Sequence, residues 1–304
     1  MENIGFSAPY FTDESKAREY LEKLRWPEGS VCPHCGAIDG HYLLNPKEES
    51  KKSVRKGVWK CHKCRKQFSV TVGTVFERSH IPLHKWLFAT FLLCSSKKGM
   101  SAHQLHRMIG VTYKTAWFMF HRIRYAMEQK PTRQLKGIVE ADETYVGGKA
   151  HGKRGRGAGN KTPVFSLVER KGKVMSTVIE KVTTRNLRAI MVKNIRSSAN
   201  IMTDDFVSYR GTNVLFASHN VINHGNKEYV RGDVHTNTVE GYFSILKRGI
   251  IGVYHHVDSN HLHRYLSEFD FRYNERNVDD AERSVVALLG IEGKRLMYRD
   301  SLEA

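Results

Sequence analysis

The pattern of apolar and polar positions along the chain changes character twice. Short alternating stretches at residues 58–60 and 67–72 predict two small strands. Segments with helical spacing follow, and Pro82, Ser101 and Thr112 stand where the first turn or the N-cap of a helix favours them. We therefore expect three helices in the middle of the chain, at 83–95, 101–108 and 112–127.

From Leu135 onward, apolar strands alternate with amphipathic helices. Three strands, a helix, a fourth strand and further helices follow one another in the order of an RNase H-like fold. The sequence therefore predicts an α/β fold class for this region. The strands are expected at 136–146, 164–168, 174–179 and 200–204, and the helices at 183–197, 236–248 and 259–274.

Four of the five cysteines form two CxxC pairs, Cys32-Pro-His-Cys35 and Cys61-His-Lys-Cys64. Each pair makes a tight turn in which two thiolates meet one ion, and two such turns complete the tetrahedral Cys₄ site that zinc favours. A redox CxxC or four ordinary core cysteines are the alternatives, and the pairing of two turns disfavours both. The N-terminal part is therefore predicted to be a zinc ribbon with a structural zinc ion.

The second and third predicted helices are joined by a tight turn at residues 109–111, which is helix-turn-helix spacing. The later helix begins with Tyr113, Lys114 and Thr115, and the start of a recognition helix is where side chains meet base edges. These three residues are candidates for DNA contact. An αα-hairpin within an all-helical linker is the alternative interpretation.

Charge is the strongest compositional signal, because 49 Lys and Arg against 31 Asp and Glu give a net charge of +18. Such an excess predicts a polyanionic partner, and nucleic acid is favoured over a membrane surface. No apolar stretch approaches the ~20 residues of a membrane helix, and the N-terminus lacks the pattern of a signal peptide. We therefore expect a cytoplasmic protein, where cysteines serve metals or chemistry.

A glycine-rich basic segment lies between the first two strands of the α/β region. Backbone freedom combined with dense positive charge predicts a loop that contacts phosphates. A plain solvated loop is the alternative, since no phosphate-binding consensus is met. The candidate DNA-binding residues of this segment are Lys149, Lys153, Arg154, Arg156 and Lys161.

Three carboxylates stand where the predicted fold brings chain segments together. Asp142 lies on the first strand of the α/β region, Asp204 ends the fourth, and Glu240 lies on the helix that begins near Asn237. Each residue alone is typical of a turn or a helix cap. Together they form an acidic pocket, and divalent cations relieve the repulsion between its carboxylates. Two ions about 4 Å apart serve phosphoryl transfer, and carboxylate oxygens suit Mg²⁺ or Mn²⁺. The trio therefore predicts a metal-dependent phosphoryl-transfer site.

Glu143 and Asp205 compete with their neighbours for this site. Side chains alternate between the faces of a strand, so we expect only one residue of each pair to face the pocket. Asp142 is favoured because it shares a face with Glu140, and Asp204 because it directly follows an apolar run.

The helix that carries Glu240 offers further candidates. Asn237 lies one turn earlier on the same face, so its amide oxygen is an alternative third ligand or a group that positions the glutamate. Glu240 is favoured by its charge and spacing. Lys247 lies two turns after Glu240 on the same stripe, next to Arg248, where a cation can hold a DNA phosphate. A surface lysine is the alternative for Lys247.

Roughly residues 15 to 280 resemble insertion-sequence transposases of the IS1595 type, with an ISXO2-like catalytic domain. The resemblance rests on the two CxxC pairs and on three further motifs. These motifs are Glu-Ala-Asp142-Glu-Thr-Tyr-Val-Gly-Gly, Thr-Asp204-Asp-Phe-Val-Ser-Tyr and His235-Thr-Asn-Thr-Val-Glu-Gly-Tyr-Phe-Ser-Ile-Leu-Lys-Arg-Gly.

This resemblance implies a DDE-type enzyme that cleaves DNA at the terminal inverted repeats of its element and joins the ends to target DNA. Double-stranded DNA is the implied partner, and at least a dimer is implied on DNA because two ends must be cut together. Members of the family carry Glu or Asn at the third acidic position, and this chain has both Asn237 and Glu240. A catalytically inert DNA-binding regulator and an RNase H-like nuclease without strand transfer are the alternative functions.

The sequence thereby predicts a division into four parts. They are the zinc ribbon with an N-terminal helix at 1–80, the helix-turn-helix region at 81–131, the RNase H-like catalytic domain at 135–278 and a C-terminal tail at 279–304.

Overall fold

The computed structural model describes residues 7–44, 56–148, 161–226 and 228–301. The chain forms two compact units, and neither is continuous in sequence. The first unit comprises residues 1–96, 102–127 and 279–303, and the second comprises residues 97–101, 128–278 and 304.

The first unit begins with helix α1 and a small antiparallel sheet. In the described part of the chain, α1 is capped by Asp13, whose carboxylate accepts the backbone N–H of Lys16 at 2.8 Å. The sheet has the order β1-β2-β3, and β1 has no counterpart among the predicted strands. The elements are α1 (Glu14–Arg25), β1 (His41–Leu43), β2 (Trp59–Cys61) and β3 (Gln67–Phe68).

The strand predicted at 67–72 is shorter than expected. It ends at Phe68 because the chain turns at once, with the Val72 N–H donating to the Ser69 carbonyl at 3.0 Å. The side chain of Val70 is buried, and its carbonyl accepts a hydrogen bond from the Arg25 guanidinium. The alternating residues after Phe68 therefore serve the core of this unit and not a strand.

Three helices complete the middle of the first unit, close to the predicted positions. They are α2 (Leu83–Ser95), α3 (Ala102–Ile109) and α4 (Tyr113–Met127). Gly110 in the turn between α3 and α4 has φ of 63°, a left-handed conformation that glycine adopts at no steric cost. The Thr112 hydroxyl accepts the N–H of Thr115 at 3.2 Å, which confirms the predicted cap of α4.

The second unit contains a mixed sheet of five described strands in the order β6-β5-β4-β7-β8. Strands β4, β5 and β6 form an antiparallel meander, whereas β7 runs parallel to β4 and β8 runs parallel to β7. This order confirms the predicted RNase H-like α/β fold. The strands are β4 (Ile138–Gly147), β5 (Lys161–Glu169), β6 (Val174–Val178), β7 (Asn200–Asp204) and β8 (Ser218–Ile222).

Helices cover both faces of this sheet, and the side chains of β4 alternate between them. Val139 and Ala141 belong to the apolar cluster beneath α5, while Val146 belongs to the cluster beneath α6 and α7. Side chains at every second position of a strand share a face, so Glu140 and Asp142 lie on the same face as Val146, toward α6. The helices are α5 (Thr184–Asn194), α6 (Asn237–Gly249) and α7 (Ser259–Asn274).

Helix α5 ends three residues before the predicted boundary at 197. Its predicted Thr183 cap is confirmed, because the hydroxyl accepts the Asn186 N–H at 3.3 Å. At the other end Ile195 is extended, buried and paired with Leu135 in a β-bridge, which ends the helix at Asn194.

A buried polar group joins α6 and α7 to the sheet. Tyr242 on α6 donates its hydroxyl hydrogen bond to Asp270 on α7. Ser176 on β6 donates its backbone N–H to Oδ2 of Asp270 at 2.7 Å and its hydroxyl to Oδ1 at 2.8 Å. Burial raises the pKa of Asp270 to about 6.

We expect Asp270 to make folding stability depend on pH between about 4 and 6. Within this window the unfolded state releases the proton and the folded state retains it, so this residue's contribution declines as pH rises. The stability of the native protein relative to the Asp270→Asn variant should therefore fall from pH 4 to pH 6, by roughly 2 kcal/mol in unfolding free energy. Thermal unfolding across this range checks it, and parallel profiles for the two proteins would contradict it.

The C-terminal segment belongs to the first unit, where it forms α8 (Asp280–Leu289). Helix α8 packs against α2 and α4. The Arg283 guanidinium donates to the carbonyl of Cys94 at 3.1 Å, and a Cβ added at Gly290 would lie 2.4 Å from the carbonyl oxygen of Ala126. Within the described residues, no helix has the length and apolar character needed to cross a membrane.

Candidate active site and metal centre

The four cysteines of the two CxxC pairs converge in the first unit. Their sulfur atoms all lie within 4.8 Å of one another, so these four side chains could together hold one metal ion. The Sγ atoms of Cys32 and Cys64 are 3.7 Å apart, as are those of Cys35 and Cys61. Four thiols at one point match the donor set of structural zinc.

The two CxxC turns repeat the same backbone geometry. The Gly36 N–H donates to the Cys32 carbonyl at 2.9 Å, and the Arg65 N–H donates to the Cys61 carbonyl at 3.0 Å. Gly36 and Arg65 both have left-handed φ values, 69° and 62°. The backbone N–H of Cys64 is the main cause that lowers the pKa of Cys61 to about 6, which favours the thiolate that binds metal.

In the second unit, the parallel register of β4 and β7 places two of the predicted carboxylates at corresponding positions on neighbouring strands. The described ladder pairs Glu140 with Met202 and ends there. Two residues further along each strand stand Asp142 and Asp204. The described β4–β7 ladder does not continue to these two residues, and Asp142 lines a cavity of about 670 Å³.

Helix α6 supplies a second wall of the cavity. Glu240, in its first turns, lines the cavity together with Lys247 and Arg248 near its end. The Glu240 carboxylate accepts a hydrogen bond from the Thr236 hydroxyl at 2.8 Å, which fixes its direction. The described residues that line the cavity are Asp142, Glu143, Thr144, Glu240, Phe243, Ser244, Lys247, Arg248, Ile251 and Gly252.

The carboxylates are close enough to change one another's protonation. Burial, the charge of Glu143 and the charge of Asp204 raise the pKa of Asp142 to about 8, and the charge of Glu240 adds to the effect. The backbone N–H of Glu143 opposes this shift. Asp204 is not among the described residues that line the cavity, and its charge effect on Asp142 is the observation that joins it to the other two carboxylates. A cation at this point would compensate the repulsion.

For Glu143 the prediction is that strand alternation turns its side chain to the face of β4 opposite that of Asp142. Glu143 lines the same cavity as Asp142, and its carboxylate accepts a hydrogen bond from the hydroxyl of Tyr209 at 2.7 Å. Tyr209 belongs to the apolar cluster that packs against α5, so the Glu143 carboxylate lies on the face of β4 opposite that of Asp142, in agreement with the prediction. Asp205, by contrast, is exposed, whereas Asp204 is half-buried.

The other predicted site residues differ in their relation to the cavity. Asn237 is the exposed first residue of α6, and of the two described candidates for the third ligand only Glu240 lines the cavity. Lys161 is half-buried and pairs with Gly147 at the end of the β4–β5 hairpin. The other basic candidates of that loop, Lys149, Lys153, Arg154 and Arg156, lie outside the described residues.

The start of α4 presents its candidate DNA-contacting residues in the first unit. Tyr113 is exposed, and its ring stacks on that of His103 with centroids 4.2 Å apart. The ammonium group of Lys114 lies 4.6 Å from the ring centroid of Tyr298. The hydroxyl of Thr115 is within 2.9 Å of the Thr112 hydroxyl, so it forms part of the helix cap.

Comparison with known proteins gives a family assignment. Residues 12–67 match a transposase zinc-ribbon domain, and residues 134–274 match an ISXO2-like transposase domain. A Halobacterium salinarum protein described as an uncharacterized protein in transposable element ISH50 is 31% identical over 284 residues, covering 86% of this chain and 91% of that protein. The chain belongs to the IS1595-type family of insertion-sequence transposases. The zinc ribbon and the RNase H-like unit of this transposase coincide with the two matched domains.

Solved structures of the Mos1 transposase are more distant. The Mos1 strand transfer complex is 14% identical with a TM-score of 0.28, covering 67% of this transposase and 73% of that chain. The Mos1 paired-end complex with the left transposon end gives 14% identity and a TM-score of 0.28, over 67% and 74% of the two chains. With TM-scores this low, the fold assignment rests on the strand order of the second unit.

Proposed function

We propose that this transposase is a DDE-type enzyme that cleaves DNA at the terminal inverted repeats of its element and transfers the freed strand to target DNA. The observation that carries the proposal is the arrangement of carboxylates where the described β4–β7 ladder ends: Asp142 and Glu240 line one cavity, and Asp204 stands at the position of β7 that corresponds to Asp142. Burial and the neighbouring charges, which raise the pKa of Asp142 to about 8, support it. A protein keeps several carboxylates around one half-buried opening at a cost in stability, and such sites are typical of catalysis.

The donor set at this opening fits hard divalent cations, because it consists of carboxylate oxygens. Asp142, Asp204 and Glu240 are the residues that would hold Mg²⁺ or Mn²⁺. Bound there, the ions would activate the attacking oxygen and stabilise the leaving oxygen of an in-line phosphoryl transfer. Water is the attacking group in cleavage, and the freed 3′-hydroxyl is the attacking group in strand transfer.

The chain's own side chains orient these groups. Thr236 directs the Glu240 carboxylate through its hydroxyl, 2.8 Å from Oε1. Lys247 and Arg248 line the same cavity on exposed positions of α6, where they would hold the backbone phosphates beside the scissile bond. Asn237 lies outside the cavity lining, so we assign the third carboxylate position to Glu240.

DNA recognition is assigned to the first unit and the basic loop. The exposed start of α4 with Tyr113, Lys114 and Thr115 is proposed to contact base edges, and the zinc ribbon to hold the terminal repeat with it. The net charge of +18 supports a binding energy dominated by phosphate contacts. Since two element ends must be cut together, a dimer or larger assembly on DNA is part of the proposal.

The test is an assay of strand cleavage and joining. Purified protein is incubated with a labelled duplex carrying the terminal repeat and with a plasmid target, in Mg²⁺ or in EDTA. Nicks at the repeat end and joined products that require the metal are expected. Retarded but uncut DNA in every reaction would favour the inert regulator instead. Nicks without joined products would favour a nuclease that does not transfer strands.

We expect Lys247→Ala to weaken DNA binding on repeat and non-repeat duplexes alike, because a phosphate contact carries no sequence information. The slope of log Kobs against log salt concentration should fall by about one unit, since one fewer counterion is released. Binding measured between 50 and 200 mM salt checks this. The control is Lys193→Ala, which should leave the slope unchanged. Lys193 is an exposed residue of α5, the helix that packs on the opposite face of the sheet.

A further inference from the structure

Helix α6 begins in an unusual way. The first N–H groups of a helix lack partners within the helix, and the N-cap side chain commonly accepts one of them. Thr236 occupies the N-cap of α6 but its side chain makes no capping hydrogen bond. Its hydroxyl instead donates to the Glu240 carboxylate at 2.8 Å. The first turn of α6 must therefore find its acceptor elsewhere.

That acceptor is Glu140, which lies on β4, 98 residues before Thr238. One oxygen of its carboxylate accepts the backbone N–H groups of Thr238 at 2.7 Å and of Val239 at 2.9 Å. The other oxygen accepts the hydroxyl of Thr238 at 2.8 Å. Glu140 thus replaces the N-cap side chain of α6, and a negative charge at this end also suits the helix dipole.

Arg170 compensates the charge of Glu140, which is fully buried. Its Nε atom lies 2.6 Å from the Glu140 carboxylate. Its two terminal nitrogens donate to the carbonyl of Asp233 at 2.7 Å and to that of His235 at 2.8 Å. The ion pair therefore fixes both the first turn of α6 and the segment that leads into it. The buried charge of Glu140 is balanced by Arg170 and by the hydrogen bonds that its carboxylate accepts.

We propose that Glu140 is a positioning residue for the carboxylate site: by capping α6 from β4 it sets the position of Glu240 relative to Asp142 and leaves Thr236 to orient Glu240. Glu140 and Asp142 are alternate residues on one face of β4, about 7 Å apart along the strand. The strand that carries one carboxylate thereby holds the helix that carries another. This inference rests on the proposed function of that site.

The test compares Glu140→Gln with Glu169→Gln in the full-length protein. Glutamine keeps the size of the side chain but presents an N–H₂ group to donors that need an acceptor. Glu169 is the matched control, because it is a buried glutamate of the same sheet, paired with Arg133 at 2.9 Å. Mn²⁺ binding is measured from the electron paramagnetic resonance signal of free Mn²⁺, and hydrogen exchange is measured at the start of α6 without metal.

We expect Glu140→Gln to raise the Mn²⁺ concentration for half-maximal binding by roughly 10-fold or more, the usual effect of losing a residue that orients a metal ligand. Hydrogen exchange at residues 237–240 should increase. Saturating Mn²⁺ should restore much of the cleavage activity, because the ligands themselves remain. Glu169→Gln should change none of these quantities. Thr236→Val, which keeps the shape of the side chain, should also raise the Mn²⁺ requirement, and it serves as the test if Glu140→Gln does not fold.

Unchanged Mn²⁺ binding in Glu140→Gln, with or without faster exchange in α6, would overturn the inference and leave the proposed function intact. An equal loss in the Glu169→Gln control would also overturn it, because the effect would then be one of general stability. Failure of the unaltered protein to bind Mn²⁺ or to cleave DNA would overturn the proposed function and this inference with it.

Discussion

Replacing Asp142 by asparagine is expected to reduce strand cleavage and strand transfer roughly a thousandfold, since losing a metal ligand removes ~4 kcal/mol of transition-state stabilisation. DNA retardation and zinc content should stay at their native values, because we assign both to the first unit and the basic residues and not to Asp142. Single-turnover cleavage of a labelled repeat duplex in Mg²⁺ measures the loss.

Although its activity should fall, the stability of Asp142→Asn without a catalytic metal is expected to be equal to or higher than that of the native protein. Burial and neighbouring charges disfavour the ionised Asp142 carboxylate, and a neutral amide relieves that cost. At pH 8, in zinc-loaded protein without added Mg²⁺ or Mn²⁺, the Tm of Asp142→Asn should equal or exceed that of the native protein. A lower Tm together with lower activity would indicate that Asp142 serves folding and not chemistry.

Asp204 provides a closely matched comparison, because its neighbour along the chain has the same chemistry and a different exposure. Asp204 is half-buried and raises the pKa of Asp142, whereas Asp205 is exposed. Asp204→Asn should lose activity to the same degree as Asp142→Asn, and Asp205→Asn should retain it. Equal loss in the two neighbours would contradict the assignment of Asp204 as a ligand.

Replacing Cys61 by serine is expected to abolish zinc binding and to unfold the ribbon. The sheet β1-β2-β3 consists of strands of two or three residues, too short to be stable without the metal. Bound zinc should fall from about one ion per chain to near zero, and the Tm of the first unit should drop by many degrees. Metal analysis after dialysis and thermal unfolding measure the two effects.

Cys94 supplies the control for this experiment. It is a buried cysteine on α2, outside the four-thiol cluster. Cys94→Ala should retain zinc and cost only the stability of a small buried side chain. Loss of zinc in Cys94→Ala, or full zinc in Cys61→Ser, would contradict the proposed site.

The sequence by itself determined the elements whose signals are local. The helices at 83–95 and 259–274 and the strand at 200–204 have the predicted bounds, because apolar periodicity and capping residues act within a few residues of the chain. The CxxC spacing likewise predicted the thiol cluster. The order of strands and helices was enough to predict the RNase H-like α/β fold.

The tertiary structure alone decided the features that depend on distant partners. Strand β8, Ser218–Ile222, is mostly half-buried and polar, and it is a strand because it pairs with β7. The Glu143 carboxylate is held by the hydroxyl of Tyr209, 66 residues later in the chain. Glu140 caps a helix that begins almost a hundred residues later in the chain. Local periodicity carries no information about such pairings, since hydrogen-bond partners and shared charge depend on distance in space and not on separation in sequence.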